Sequence, residues 1–319
     1  MRRLISSIFL GVLTISSFAQ IKEDTNYVDS ISLKVVDIKE ELIKIQDNYY
    51  AIISYGMAGN IGVFLSANGT ILIDDQWSTL SKRIEDLLST ISQKPVITII
   101  NTHYHYDHTN GNIAFSLQKI PIISSSNARM RMSEKQILLP TFEFQGSAGI
   151  VQKPYLPEAL PIMTFTDTLT LYEGSEIIEL VHYKYAHSDG DIVVHLKNAD
   201  IFHTGDIFVT YGLPYIDEAA GGDLYCMIEA LNKLLLHSNE NTKFIPGHGP
   251  LCTIRELKEY RDLLSTILNN VETLTRENIK LEEILKDTKS KIPFETKDAD
   301  KFIEQTYRSV KRHLSNQKG

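Results

Sequence analysis

Apolar positions recur along this chain in two rhythms that alternate from one stretch to the next. Short β-branched or aromatic runs at 33–38, 42–45, 49–53, 61–65 and 71–73 are separated by Asp47-Asn48, Gly56, Gly59-Asn60 and Asn68-Gly69. Such runs bounded by turn residues predict strands. Asn68-Gly69 between two of them predicts a hairpin, because both residues tolerate the positive φ of a tight turn. At 78–92 the period changes: Leu80, Ile84, Leu87, Leu88 and Ile91 fall three and four apart, which predicts a helix. The run 96–100 (Val-Ile-Thr-Ile-Ile) is nearly continuous and predicts a strand buried on both faces.

A second round follows the first. A strand is expected at 120–123, a helix at 127–139 with Met130, Met132 and Ile137, and an irregular segment over 140–161. Strands recur at 162–165, 168–172, 176–182, 192–197 and 200–205. A helix at 223–236, a short strand at 244–245 and a long helix at 253–287 close the pattern. Thr253-x-x-Glu256 is a capping box for that last helix. Its Leu257, Tyr260, Leu264, Ile267, Val271 and Leu274 form a seam suited to packing on the chain's own core or on a second copy. Two β-rich halves, each followed by helices, predict sheets packed face to face with helices outside, an α/β (α+β) arrangement of four αββα layers. Periodicity alone fits two separate domains as well.

Composition narrows the function classes. Of 319 residues, 43% are hydrophobic, enough for a sizeable core. A net charge of -8 argues against a general nucleic-acid binder, which needs a basic face to displace counterions from phosphates. Two cysteines cannot form a disulfide scaffold or a four-thiolate zinc site. Cys226 and Cys252 pair only if the fold brings them together. Residues 1–19 read as a signal peptide: Met1-Arg2-Arg3 is basic, the following stretch is apolar, and Ser17-Phe18-Ala19 offers small residues for cleavage. The expected location is therefore periplasmic or secreted. No other run is apolar enough for a membrane helix, so no membrane insertion is expected after cleavage.

The candidate chemistry follows the apolar strand at 96–100. His103-x-His105-x-Asp107-His108 places three imidazoles and a carboxylate within six residues. In an extended stretch His103 and His105 face the same side. Asp107 and His108, as the chain turns, can face a second point about 3.5–4 Å away, the spacing of a two-metal site. Four such groups at the end of an apolar strand would be costly to bury without a metal or strong pairing. His187 lies in Ala186-His187-Ser188-Asp189-Gly190-Asp191, Asp206 ends the strand expected at 200–205, and His248 sits in Pro246-Gly247-His248-Gly249-Pro250. Each follows a predicted strand, so all can gather on one edge of the sheets.

These motifs resemble the metallo-β-lactamase superfamily of binuclear hydrolases. The resemblance runs from about residue 40 to 255 and continues weakly into the C-terminal helices. It implies a four-layer αββα metallo-β-lactamase sandwich spanning 20–288, with a helical C-terminal tail, 289–319, packing on it. Carried over residue by residue, it implies that His103, His105 and His187 hold one zinc ion and that Asp107, His108 and His248 hold another. Asp206 would bridge them, and Asp74 would be a structural acid behind the ligands. Two Zn2+ per chain are implied, with iron or manganese as alternatives. The implied activity is hydrolysis of an ester, thioester, lactone or related small-molecule bond by a hydroxide shared between the metals, oriented by Asp107. The bridging Asp206 favours that branch over a dedicated β-lactamase. Hydrolysis of β-lactam antibiotics and iron-dependent oxidoreduction are the alternatives. The implied partner is a small-molecule substrate, with the chain a monomer or homodimer.

The remaining histidines, His182, His195, His203, His237 and His313, are expected to be structural; His203, three residues before Asp206, is the one placed to support the ligands. Lys184, Arg129, Arg131 and Lys135 are expected to be solvated rather than to bind a substrate anion. Tyr104, Tyr106, Tyr211 and Tyr215 suit either a cleft wall or the core. Gly221-Gly222-Asp223 reads as a turn with an Asp N-cap.

Overall fold

The computed structural model describes residues 38–138 and 150–317. The expected signal peptide, nearly all of the strand at 33–38 and part of the segment 140–161 lie outside them. The alternating runs at the start become β1 (Lys39–Gln46), β2 (Tyr49–Tyr55), β3 (Ile61–Leu65) and β4 (Thr70–Ile73), which pair antiparallel in order. Asn68-Gly69 does close a hairpin, with Leu65 opposite Thr70. A 3-10 turn at Ser78–Leu80 and helix α1 (Ser81–Ser89) then lead into β5 (Val96–Ile100), parallel to β4. Two short helices, α2 (Tyr106–Thr109) and α3 (Asn112–Ser116), precede β6 (Ile122–Ser125), parallel to β5. Helix α4 (Ser126–Met132) and a ribbon of β7 (Gln136–Leu138) with β8 (Ile150–Gln152) precede β9 (Met163–Phe165), which lies beside β6.

The second sheet runs β10 (Thr168–Glu173), β11 (Glu176–His182), β12 (Ile192–Leu196) and β13 (Ile201–His203), all antiparallel. Helix α5 (Leu224–Leu236), capped by Asp223 Oδ1 accepting from Tyr225 N at 2.9 Å, crosses back to β14 (Lys243–Ile245), parallel to β13. β15 (Cys252–Thr253) ends this sheet. Helices α6 (Ile254–Arg276), α7 (Leu281–Lys289) and α8 (Ala299–Asn316) follow.

The two sheets meet face to face. Ala51, Ile53, Phe64, Ile71, Ile73, Ile100 and Ile123 of the first pack with Ile178, Leu180, Ile192, Val194, Ile201 and Ile245 of the second. Each of the fully buried Ile, Leu, Val and Phe side chains contributes about 1.5–3 kcal/mol. The outer face of the second sheet (Phe202, Phe244) is covered by Leu231 and Leu234 of α5, Leu257, Leu264 and Ile267 of α6, and Phe302, Ile303 and Val310 of α8. On the first sheet the opposite face is buried too, at Ile52, Val63, Leu72 and Ile99, as are Ile84 and Leu88 of α1. The result is the four-layer αββα sandwich with a helical C-terminal extension.

Four local expectations need correction. The helix expected at 127–139 stops at Met132, because Gln136 and Leu138 turn inward while Ile137 faces out, a period of two that pairs with β8. The helix expected at 253–287 is two helices; Asn278 adopts φ 59 between α6 and α7, a left-handed residue that ends the first. The capping box at Thr253 and Glu256 forms as expected. β5 is fully buried only at Ile99 and Ile100. Asp206 follows its strand rather than ending it, in a 3-10 turn at Gly205–Ile207. The seam of α6 is spent on the chain's own core, as is one face of α8. Cys226 and Cys252 are free thiols. Among the described residues no helix is long and apolar enough to cross a membrane.

Candidate metal centre

Strand direction decides which loops meet. β4 and β5 run parallel, with Ile73 opposite Ile100, so Asp74 and the Asn101–His108 stretch leave the first sheet at one edge. β13 and β14 also run parallel, which brings Asp206 and His248 out side by side. His187 lies on the connection between β11 and β12. Loops of the two sheets are laced there: Ile192 N donates to Thr102 O at 2.7 Å, Asn60 N to Gly247 O at 2.8 Å, and Asn60 Nδ2 to the carbonyls of Pro246 and Gly249, each at 2.8 Å.

All seven residues singled out by sequence converge at this edge. Ligand atoms of His103, His105, His187 and Asp206 lie within 4.8 Å of one another, and those of Asp107, His108 and His248 form a second group of the same kind. The groups touch. His187 Nε2 is 3.0 Å from His105 Nδ1, and His108 Nε2 is 3.2 Å from His248 Nε2. Asp206 lies between them, with Oδ1 3.2 Å from His108 Nε2 and Oδ2 3.8 Å from His187 Nε2. Asp107 Oδ2 is 3.2 Å from His248 Nε2.

The outward nitrogens explain why the rings face inward. His103 Nδ1 donates to Thr102 Oγ1 at 3.0 Å, and that hydroxyl donates to Asp74 Oδ2 at 2.7 Å. The same Asp74 oxygen accepts from His108 Nδ1 at 2.8 Å. His105 Nε2 donates to Asp217 Oδ2 at 3.0 Å, and His187 Nδ1 to the Tyr215 carbonyl at 2.7 Å. In this network each ring spends one nitrogen on the protein and turns the other toward the centre, the arrangement that metal-ligating imidazoles take. His103 Nε2 is buried without a hydrogen-bond partner, and Asp206 Oδ1 is buried facing the His108 and His248 rings. Orphaned donor atoms of this kind, surrounded by imidazole and carboxylate, fit a metal ion.

Electrostatics separates the rings. Burial pushes His187 down to about 4, aided by the neighbouring His105. His103 is held well below the ordinary histidine value by burial and by His108 and His105. Burial also opposes charge on His105 and His108, but carboxylates reverse it: Asp217 raises His105, and Asp206, Asp107 and Asp74 raise His108. Against its own burial, Asp206 is held well below the carboxylate range by His248 and His108.

Close approach demands glycine directly beside two of these side chains, Asp206 and His108. A Cβ on Gly247 would overlap Asp206 Oδ1, and one on Gly59 would overlap the His108 ring.

Sequence reasoning missed three supporting residues. Asp217 accepts from His105, from the Tyr104 hydroxyl and, through Oδ1, from Ala220 N at 3.0 Å. Thr102 links His103 to Asp74. Asp191 shapes the His187 turn by accepting from His187 N at 2.7 Å and Ser188 N at 2.8 Å. Only Asp191 carried a signal, as the last residue of the motif containing His187. Tyr104 is core, and Tyr211 is half-exposed with its ring 5.7 Å from that of His248. His203 Nε2 donates to Asn60 O at 3.2 Å, on the first sheet's side of the centre. Arg131 is committed to Asp189, Arg129 to Pro161 O and Lys184 to Asp167. A cavity of about 500 Å³ lies away from the centre, between α5 and β11–β12, lined among others by Glu179, His195, Cys226 and Lys233.

The comparisons agree with this geometry. The sequence profile of the metallo-beta-lactamase superfamily matches residues 55–264. A probable metallo-hydrolase of Methanocaldococcus jannaschii is 28% identical over 202 residues, 62% of this chain and 90% of that protein. A metallo-beta-lactamase from Pontibacter korlensis has the same fold, with a TM-score of 0.58 at 20% identity over 71% of this chain and 99% of its own. The sec-alkylsulfatase Pisa1 from Pseudomonas sp. superposes with a TM-score of 0.61 at 14% identity, covering 86% of this chain but 50% of the sulfatase. With the profile spanning most of the chain, this protein belongs to the metallo-beta-lactamase superfamily.

Proposed function

We propose that the chain is an exported hydrolase holding two divalent ions, zinc in the first instance, and that it cleaves an ester, thioester or lactone bond of a small molecule. The observation that carries this reading is the position of Asp206. One of its oxygens faces His108 and the other faces His187, so a single carboxylate addresses both clusters. His103, His105 and His187 would hold one ion, Asp107, His108 and His248 the other, with Asp206 between. Ions held there supply Lewis acidity toward the scissile group and lower the pKa of bound water to about 7.

The rest belongs to the chain. His103 and His187 are neutral at pH 7 because burial disfavours their charge, so their lone pairs are available without loss of a proton. Asp107 is the most open of the seven, with 16% of its side chain exposed. It is held ionised, against burial, by His108 and His248. It therefore both ligates and presents an acceptor toward an incoming substrate, the place for a residue that orients the attacking water. No side-chain nucleophile is needed; Cys226 and Cys252 sit on α5 and β15. Five imidazoles and two carboxylates without a thiolate also suit iron or manganese, so metal content decides between hydrolysis and redox chemistry.

The test is a hydrolysis panel on zinc-loaded protein: an acyl lactone, a thioester, a phosphodiester, a secondary alkyl sulfate and a chromogenic cephalosporin. Turnover of a carboxylic ester, thioester or lactone that disappears in His105→Ala and after chelation is expected. Full activity in metal-free protein would sink the reading. Preferred turnover of the cephalosporin would replace it with a β-lactamase. Export is checked by sequencing the N-terminus of the mature protein, which is expected to begin at Gln20.

A further inference from the structure

The C-terminal helix α8 lies outside the stretch matched by the superfamily profile, yet it grips the loop that orients two of the ligands. That loop runs from Pro214 to Asp223. Its Tyr215 carbonyl accepts from His187 Nδ1 at 2.7 Å, and its Asp217 carboxylate accepts from His105 Nε2 at 3.0 Å. Asp217 N donates to His187 O at 2.9 Å, and Asp189 N to Ala220 O at 2.8 Å, so the loop is stitched directly to the His187 turn.

On its other side the same loop is held by α8. Gln305 Nε2 donates to the Ile216 carbonyl at 3.2 Å, between the two residues that orient the rings. Arg308 Nη2 and Arg312 Nη1 converge on Glu218, at 2.6 and 3.0 Å. Ser309 Oγ donates to Asp223 Oδ2 at 2.5 Å, with Arg312 and His313 on the same carboxylate at 3.4 and 3.3 Å. The helix cannot drift, because Phe302, Ile303 and Val310 on its other face are buried in the core. The two arginines are half-exposed, so each ion pair alone is weak. Gln305 and Ser309 are buried, and a buried amide that lost its carbonyl would leave both groups unpaired.

We propose that Gln305, Arg308 and Arg312 are positioning residues for the metal centre. They fix the loop whose Tyr215 carbonyl and Asp217 carboxylate aim His187 and His105, and so set the affinity of the three-histidine cluster while leaving the Asp107, His108 and His248 cluster alone. The inference rests on the two-cluster reading of the site. Removing a direct hydrogen-bond partner of a ligand typically costs about 10–100-fold in metal affinity. A residue one contact further out is expected to cost less, about 3–10-fold.

The experiment is a stepwise titration of the full-length, chelator-stripped protein with cobalt(II), followed by visible absorption and chelator competition. Gln305→Leu and the double variant Arg308→Ala/Arg312→Ala should each weaken one binding step about 3–10-fold and shift its absorption band, with the other step unchanged. Arg308→Lys/Arg312→Lys, which keeps the charges, should restore most of the affinity. Val310→Ala loosens the core face of α8 without touching the loop, and should lower the melting temperature with both steps unchanged. Variants that bind cobalt as the wild type does would overturn the inference alone. So would a Val310→Ala protein that loses as much affinity. Wild-type protein that takes up no cobalt would overturn the two-cluster reading, and the inference with it.

Discussion

The two halves of the centre are built from the same residue types but supported differently. Behind His103, His105 and His187 stand Thr102, Asp217 and the Tyr215 carbonyl, one partner for each ring. These rings are almost fully buried. In the other half Asp74 stands behind His108, while Asp107 and His248 keep 16% and 11% of their side chains exposed. His248 rides on a Pro-Gly-His-Gly-Pro loop, with its Nε2 3.2 Å from Asp107 Oδ2. The difference teaches a division of labour. On the proposed two-ion reading, the three-histidine half is pre-organised to hold an ion, and the other is open enough to admit a substrate and a water. Pre-organisation of ligands by outer partners tunes affinity, whereas access tunes reactivity.

The largest test of this division is the residue the halves share. Asp206→Ala should drop metal content below two ions per chain and hydrolysis by more than about 100-fold, since both clusters lose an oxygen at once. Metal analysis and kinetics check it; two ions retained in the variant would mean that the halves are independent. Asp217→Ala separates them. It removes the acceptor behind His105 alone, and should weaken the three-histidine step about 10–100-fold with the second step unchanged. Asp74→Ala should instead affect both steps, because Asp74 Oδ2 supports His108 directly and His103 through Thr102. Equal effects of Asp217→Ala on both steps would break the comparison.

A smaller effect is expected from backbone crowding. In Gly247→Ala the added methyl would meet Asp206 Oδ1. Overpacking of this kind costs typically about 1–3 kcal/mol, here at the bridge rather than in the core. The expected signature is a lowered melting temperature of the metal-loaded protein, larger than that of the metal-free protein. Equal shifts would show that Asp206 moves aside without consequence.

Much of this was legible before the fold. The H-x-H-x-D-H motif is dense enough to declare itself, and each remaining ligand follows an apolar run that becomes a strand, so the gathering edge could be read from order alone. What stayed hidden were residues of common type whose role exists only in three dimensions. Asp217 looks like any loop acid until the Pro214–Asp223 loop folds over His105. Thr102 looks like a strand-end threonine until Asp74 reaches it across the sheet. The error at 127–139 had a different cause. Met130, Met132 and Ile137 are apolar but share no single helical face, with Met130 exposed and Met132 buried, and Gln136–Leu138 is drawn into a ribbon by the next strand, β8. The break at Asn278 was visible as a residue type that favours the left-handed region, and was outweighed by the continuing apolar seam.

The subtlest contrast within the halves is one of protons. Each contains an imidazole whose proton affinity carboxylates raise against its burial in the metal-free protein: His105, through Asp217, and His108, through Asp206, Asp107 and Asp74. His187, pushed down to about 4, and His103, held lower than its ordinary value, are neutral. The sign follows. A raised histidine pKa stabilises the metal-free fold fully below the unfolded value of about 6.5, and that contribution is lost as pH rises through the folded pKa. Metal uptake demands the neutral rings, so it must expel those protons. At pH 6, binding of both ions should release a proton from the raised ring of each half, and this ring contribution should fall as pH rises through the folded values, leaving the proton lost by metal-bound water. Calorimetry in buffers of different ionisation enthalpy measures this directly. In Asp217→Ala the ring contribution at the three-histidine step should vanish while that at the other step persists. A release unchanged by that substitution would place the proton on a group other than His105, and with it the claim that Asp217 governs only its own half.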